Sequence, residues 1–513
     1  MGTDLTTFAF GPDLTGDVLA ALRASGAQVG ARRTVVRTVL DTFDGRLHRA
    51  GLRLELAKGA CRTLIITGQS EVVPPLVVDR APRRLGELPV GPMHDCVAAA
   101  IGQRVLIDQF SVKERRTIAT WQNRHGELVL TGTLHEPLSD AGRPATTSAP
   151  MLELCAAPGR GKRYRRVVEV CDALGLQRTE VDSLYAAVDA GEANLGGYSA
   201  SPTVPLDPAM PAIEGFHAVL GNLFLAVRAH WDGAALDLEP EFLHGLRVAT
   251  RRSRCVVAQS KGVLPRRALE AASECLGWLG DLSGAARDLD VHLLQWERYA
   301  RPLAPEAQAA LEPVRVLLEK RRRTAHRALT KALRSPRASE LTGAWEAWLE
   351  APPARRRRSA AADAPLGPLV VECIERAHAT LVEHGRLISD ASPAEQLHDL
   401  RKDAKKLRYL VECFGGLLPS APRKKFVRRL KRLQDNLGAH QDAEVHAVEL
   451  VQLARGLRKR EATAATSAAF AQLLELLDHR RESARAEFGA RFAAFDSDDT
   501  SALLDRVLDL AGS

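Results

Sequence analysis

Two rhythms of apolar and polar positions divide the chain. In the first two hundred residues the alternation has period two: Thr34-Val35-Val36-Arg37-Thr38-Val39-Leu40, Leu52-Arg53-Leu54-Glu55-Leu56 and Arg62-Thr63-Leu64-Ile65-Ile66, then Arg116 to Trp121 and Glu127 to Thr131. Side chains that change face at every residue suit strands with one buried side, and Asn123-Arg124-His125-Gly126 supplies a turn between the last two runs. The pattern predicts antiparallel strands and one helix from Arg163 to Leu174, stopped by Gly175. Glycine, serine and proline then crowd between Gly196 and Pro211, a composition that sustains neither helix nor sheet. From Ala212 the apolar residues recur at three and four, which predicts helices. A second break, Ala351-Pro352-Pro353-Ala354 followed by Arg355 to Arg358, splits this helical part in two.

The two helical parts are copies. An offset of 154 residues aligns Leu243-His244-Gly245-Leu246-Arg247 with Leu397-His398-Asp399-Leu400-Arg401. The same offset takes Arg251, Arg252 and Arg254 to Lys405, Lys406 and Arg408, and Gly262-Val263-Leu264-Pro265 to Gly416-Leu417-Leu418-Pro419. Gly284, Asp288 and His292 meet Gly438, Asp442 and His446, and His230 meets His384. One register over so long a stretch predicts two copies of a helical unit, each large enough for a four-helix bundle.

On a helix, His244, Arg247, Arg251 and Arg254 share an arc of about 80°. Leu243, Leu246, Val256 and Val257 take the other side. In the second copy His398, Arg401, Lys405 and Arg408 oppose Leu397, Leu400, Leu407, Leu410 and Val411. A solvated face is the ordinary reading of such a stripe. Against it, the first stripe carries no acid to offset cations spaced at three and four, and each such like pair costs a few tenths of a kcal/mol. The second copy adds charge: from His398 to Gln434 there are twelve Lys or Arg and three acids. A helix there would put Lys425, Arg428, Arg429 and Arg432 on one side. Arginine outnumbers lysine, and its planar fork suits phosphate oxygens.

Composition narrows the partner. A net charge of +8 in 513 residues favours an anion, while aromatics at 5% disfavour ligands read by base stacking. With 45% hydrophobic residues bulk disorder is excluded. No run of about eighteen apolar residues predicts a membrane span, and Met1-Gly2-Thr3-Asp4 does not open a signal peptide. The eight cysteines form no CxxC pair and are expected as reduced, buried thiols in a cytoplasmic protein. No cluster has the spacing of metal ligands. His125, His217 and His479 are read as surface or core residues. For His292 and His446, a structural pairing with Asp288 and Asp442 one turn earlier stands level with a functional reading. Beside phosphate an imidazole is expected to keep its proton.

The helix His244-x-x-Arg247-x-x-x-Arg251-Arg252-x-Arg254, its second copy and the segment Leu282 to Val291 resemble the CHAD family, the conserved histidine α-helical domain. The resemblance covers about 213–513. It implies two pseudo-symmetric four-helix bundles across a basic groove that binds inorganic polyphosphate without catalysis. More weakly, Leu40 to Glu55 and the strand Met151-Leu152-Glu153-Leu154-Cys155 resemble the CYTH family of triphosphate tunnel enzymes. That family's N-terminal Glu-x-Glu-x-Lys, whose carboxylates would hold the divalent ion, is absent from Met1 to Gly30. Glu153 is kept, Met151 and Cys155 stand at neighbouring inward-type positions, and the family's late Ser-Lys reads Asp182-Ser183-Leu184. A basic remnant persists in Arg53, Lys113, Arg115 and Arg116.

The expectation is therefore an α+β multidomain chain: a degenerate antiparallel β-barrel or tunnel-like domain (1–195), a linker (196–212) and an all-α domain of two pseudo-symmetric bundles (213–350 and 366–513). The expected polyphosphate contacts are His244, Arg247, Arg251, Arg252, Arg254 and Arg287, then His398, Arg401, Lys402, Lys405, Lys406 and Arg408, then Lys425, Arg428, Arg429, Lys431 and Arg432. No catalytic residue, metal, cofactor or membrane is expected, and polyphosphate granules are the expected location. The alternatives are a metal-dependent triphosphatase working through Glu55, Glu127 and Glu153, and a nucleic-acid binder.

Overall fold

Strands β1 (Leu5–Ala9) to β10 (Gln177–Thr179) form one antiparallel sheet. The computed structural model describes residues 5–68, 73–102, 104–138, 149–157, 161–180, 184, 204–351, 359–457 and 462–510. Asp182, Ser183, residues 196–203 of the glycine- and proline-rich linker and Arg355 to Arg358 lie outside them. The chain divides into two units, Met1–Ser199 and Ala200–Ser513.

In the first unit the strand order is β10-β1-β9-β8-β7-β3-β4-β5-β6, with β2 (Gln28–Val29) beside β7. The predicted runs lie in β3 (Arg33–Asp41), β4 (Arg53–Lys58), β5 (Arg62–Thr67), β7 (Ile107–Gln122) and β8 (Leu128–Pro137). Among the described residues the ladder is open, with β10 and β6 (Leu76–Val78) as its edges, rather than a closed barrel. Along β9 (Met151–Ala156), Leu152 and Leu154 point into the apolar core with Trp121 and Val167 of the helix α4 (Gly161–Ala173). Met151, Glu153 and Cys155 therefore share the other face, as period two requires.

Sixteen helices are described in all, four of them (α1 to α4) in the first unit. The second unit holds α5 (Ala212–Ala235), α6 (Pro240–Gln259), α7 (Arg266–Ala300), α8 (Pro305–Ala310), α9 (Glu312–Leu333) and α10 (Pro336–Glu350). After α11 (Ala360–Asp363) come α12 (Leu366–Arg386), α13 (Ala394–Cys413), α14 (Ser420–Ala454), α15 (Ala464–Phe495) and α16 (Asp498–Leu508). α5, α6, α7 and α9 form one bundle; α12, α13, α14 and α15 repeat it. Every apolar residue named for the two stripe helices is buried, from Leu243 to Val411. α5 is long and apolar enough to cross a membrane, contrary to the expectation from run length, but fourteen of its residues are buried inside the bundle.

The repeat has a visible axis. Pro211 and Pro365, equivalent under the 154-residue offset, bridge each other's backbone; Ala212 N donates to Ala364 O and Leu366 N to Met210 O. His292 and His446 face each other with ring centroids 4.1 Å apart. Residues that touch their own equivalents must lie on the pseudo-two-fold axis.

One repeat pair diverges. His230 is buried, donates from Nδ1 to Ala226 O, and packs on Gly245, where a Cβ would come within 2.0 Å of its Nε2. The residue equivalent to Gly245 is Asp399, so His384 cannot fold inward in this way; it is exposed and contacts Asp403 at 2.7 Å.

Candidate anion-binding cavity

α6 and α13 pack against each other with both cationic stripes on one side. Arg252 reaches across to Glu412, and Cys255 Sγ donates weakly to Lys406 O. In each stripe the first arginine lies over a glycine of the next helix. A Cβ on Gly284 would stand 3.7 Å from Arg247 Nη1, and one on Gly438 3.6 Å from Arg401 Nη2. Arg247 donates to Gly280 O and Ser283 Oγ, while Arg401 donates to Asp442.

Beside them opens a cavity of about 820 Å³, walled by α13, α14, α15 and the end of α7. Arg401, Lys405, Arg408 and Arg432 line it, joined by Arg298, His479, Arg480 and Arg491. The acids on its walls are Asp435, Asp442 and Glu487; Asp442 is engaged by Arg401 and Glu487 by Arg491.

The electrostatics are those of crowded cations. Burial, then Arg401, Arg251 and Arg408, push Lys405 down to about 7. Burial, then Arg287, lowers His244, with Arg251 adding to the effect. Burial and Arg251 lower Arg247, and burial lowers Arg287. Arg251 is the common neighbour, and its equivalent is Lys405. The charge of one stripe thus acts on the other beside the axis. Spare donors remain: Arg247 Nε, His398 Nδ1 and Arg408 Nε are buried without a hydrogen-bond partner among the described residues.

Of the expected contacts, the cavity gathers four. His244, Arg247, Arg251, Arg254 and Arg287 form the adjoining first stripe and are not part of its walls. Arg252 is buried and turned to Glu412, because its position on α6 faces α13. Lys402 is exposed and held by Asp399, and Lys406 is half-buried. The dense run of α14 is divided. Arg429 donates to Thr500 Oγ1 of α16, Arg432 reaches the cavity, and Lys425, Arg428 and Lys431 stand exposed. In the free protein burial, then the cationic neighbours of His244, disfavour its proton; the protonated ring expected beside phosphate belongs to the bound state.

Arg298, His479, Arg480 and Arg491 escaped the sequence reading. Arg480 aligns with His326 and Arg298 with Gln452, so the repeat offers no signal there. His292 and His446 do not pair with Asp288 and Asp442. His292 meets Glu449, and Tyr299 meets His446, because the axis brings the two rings together. All eight cysteines are free, but only Cys171, Cys275 and Cys373 are buried; Cys96, Cys155, Cys255 and Cys413 are half-buried and Cys61 is exposed.

In the first unit, the sheet face opposite the apolar core is charged and self-paired. Arg37 Nε and Nη2 donate to Glu55, each at 2.7 Å, and Arg37 Nη1 lies 3.7 Å from Glu114. His135 and Arg116 also donate to Glu114. Burial would raise Glu114, but His135, Arg37 and Arg116 hold it below the usual carboxylate range. Glu127 sits in the exposed hairpin turn, bonded to Asn123, away from Glu55. Arg53, Lys113 and Arg115 are exposed; Arg116 is half-buried. Among the described residues no group of three His, Cys, Asp or Glu side chains could hold a metal ion.

Residues 218–452 match the model of the CHAD domain. Uncharacterized proteins of two Mycobacterium tuberculosis strains are each 28% identical over 259 residues, 49% of this chain and 47% of the relative. The chain thus matches about half the length of these curated relatives. The crystal structure of the CHAD domain from the plant Ricinus communis covers 57% of this chain and 96% of its own, at 27% identity and a TM-score of 0.48. An adenylyl cyclase homologue from Hippeastrum, described as having a dominant triphosphatase activity, covers 39% of this chain and 100% of its own, at 12% identity and a TM-score of 0.29; its likeness falls on the N-terminal unit.

Proposed function

We propose that this chain, which carries a CHAD domain over residues 218–452, binds inorganic polyphosphate with the cavity and the adjoining stripe of α6. The observation that carries the reading is the pair Arg251 and Lys405. Burial first, and then the neighbouring cations Arg401 and Arg251, leave Lys405 holding its proton only weakly at neutral pH. Such a group is costly in the free protein and is stabilised when a polyanion enters. A linear phosphate chain fits better than nucleic acid. The single Phe, Tyr or Trp on the cavity wall is Tyr299, and Arg480 covers its ring at 5.2 Å, which leaves no stacking platform for a base.

The test is binding of long-chain polyphosphate at several salt concentrations, competed by DNA and by heparin. About eight phosphate contacts would give a log–log salt slope near −6, on the scale known for nucleic acids. Polyphosphate should compete best. A binding constant that barely changes between about 50 and 300 mM salt would end the basic-cavity mechanism.

The same reading assigns no catalysis to the N-terminal unit. Its buried carboxylates are already matched by Arg37, Arg116 and His135, which leaves them poorly placed to recruit a divalent ion. With Mg²⁺ or Mn²⁺ the protein should release no phosphate from tripolyphosphate, ATP or polyphosphate. Turnover that vanishes in Glu153→Gln would refute this. The location proposed for the protein is the cytoplasm, on polyphosphate granules.

A further inference from the structure

A second basic hollow lies on the first bundle. Arg323, Arg327, Lys331 and Arg334 follow one another at four, four and three residues along α9 and just past its end, within an arc of about 80°. They border a hollow of about 420 Å³ that Asp237, His326 and Thr330 also line. Among the described residues none of the four makes an ion pair. The helix dipole favours Lys331 and Arg334 at a C-terminus, but it gives no reason for Arg323 and Arg327. Like charges at this spacing repel.

The acid lining it is spent. Asp237 is the one described non-glycine residue with positive φ, at 49°. That strained backbone turns its carboxylate to Arg322, which donates to it at 3.0 and 2.6 Å. His326 lies 3.0 Å from both Asp237 and Asp290, and Asp290 also accepts from Arg322 Nε at 2.6 Å. Asp237, the one acid lining the hollow, is thus already held by Arg322, while none of the four outer cations has an ion-pair partner among the described residues.

The second bundle shows what the repeat alone would give. At the same offset Arg327, Lys331 and Asp290 become Arg481, Arg485 and Glu444, which line a hollow of about 600 Å³. There Arg485 is bound to Ser389 O and Ser392 O, Arg481 pairs with Asp478, and Asp390 and Glu482 join Glu444 on the walls. That hollow balances its own charge. The first does not.

We propose that the hollow bordered by α9 and Asp237 is a separate binding site for a compact, multiply charged phosphate anion, gripped by Arg323, Arg327, Lys331 and Arg334. This site does not depend on the cavity reading. Its size suits a short phosphate chain or a chain end. Thr330 adds a neutral donor, and no aromatic side chain lines it for a base.

The experiment is mass-spectrometric acetylation of Lys331 in the intact protein, with and without tripolyphosphate, alongside calorimetric titration. Tripolyphosphate should slow Lys331 labelling at least tenfold. Arg327→Gln with Lys331→Gln, both exposed and safe for folding, should remove one class of tripolyphosphate sites. Lys405→Glu with Arg408→Glu should leave that class in place. If long polyphosphate protects Lys331 and tripolyphosphate does not, the ligand is a chain that extends to this face. Labelling unchanged by either probe, or an isotherm unchanged in the Arg327/Lys331 variant, overturns the proposal. Loss of the other class alone in the Lys405/Arg408 variant bears only on the cavity.

Discussion

Both units gather charged side chains on one face, yet they treat the charge in opposite ways. In the sheet, Arg37, Arg116 and His135 meet Glu55 and Glu114, and the face is complete without a ligand. In the helical unit exposed Arg251 and half-buried Arg247, Lys405 and Arg408 crowd together, and Lys405 is driven toward its neutral form. Buried charge by itself therefore does not mark a binding site. What marks one is partly exposed charge of a single sign, held in place by packing it did not choose.

Truncating one member of each arrangement should reveal the difference most sharply. Arg37→Leu takes both Arg37 hydrogen bonds from buried Glu55, while Glu114 keeps His135 and Arg116, and should cost the N-terminal unit about 3–5 kcal/mol, read from denaturant melts. Arg251→Leu relieves repulsion and should leave the helical unit's stability unchanged or slightly raised. A loss above 1 kcal/mol there would erase the contrast.

Charge reversal measures ligand binding instead. Arg251→Glu with Arg254→Glu, or Lys405→Glu with Arg408→Glu, should weaken polyphosphate binding by roughly 100- to 10,000-fold, at about 1.5–3 kcal/mol for each of the two charged contacts. The buried apolar faces are untouched, so circular dichroism should not change. If one pair abolishes binding and the other does nothing, the two stripes do not serve one ligand.

The histidines on the axis give a smaller effect. Burial, then His292, pushes His446 down to about 4 from 6.5. The fold prefers the neutral ring, so this stability is present above about pH 6.5 and is lost as pH falls toward 4. The loss should be about 2–4 kcal/mol, and His446→Gln should flatten that part of the stability profile.

The smallest effect is a proton. Lys405 sits near 7 in the free protein, and a bound anion must raise it. Affinity should be full below pH 7 and fall by up to about tenfold per pH unit above it, until the bound-state value is passed. Calorimetry in buffers of different ionisation enthalpy should detect the uptake. Lys405→Arg should bind as well and take up no proton through this position, because a guanidinium is always charged.

Much of this was legible in sequence for a physical reason: periodicity and repetition are local. The runs at 34–40 and 62–66 fall inside β3 and β5, and the run at 52–56 lies in β4 but for Leu52. The turn residue Gly126 has φ of 79°, and the stripe helices bury the aliphatic faces named for them. β1, of five residues, and the edge strand β10, of three, were missed because they carry too few residues to show a period. The first half of β7 was missed because its inward face changes parity near Thr117. The cavity was half legible. Arg401, Lys405 and Arg408 share one helix and one repeat, whereas Arg298, Arg480 and Arg491 arrive from α7 and α15 by packing alone. Charge density misled at Arg429, whose side chain α16 takes up.

The backbone bridge between Pro211 and Pro365 has a consequence for ancestry and assembly. Two equivalent segments that pair with each other form an isologous contact, the kind by which identical subunits build a closed dimer. A single ancestral bundle could therefore have associated with itself through this face before duplication joined the copies in one chain. In such a homodimer the axis would set Arg251 against a second Arg251, two charges that neither side could release. Fusion made the two sides free to differ, and the lysine at position 405 is the kind of asymmetry that only a tandem can keep.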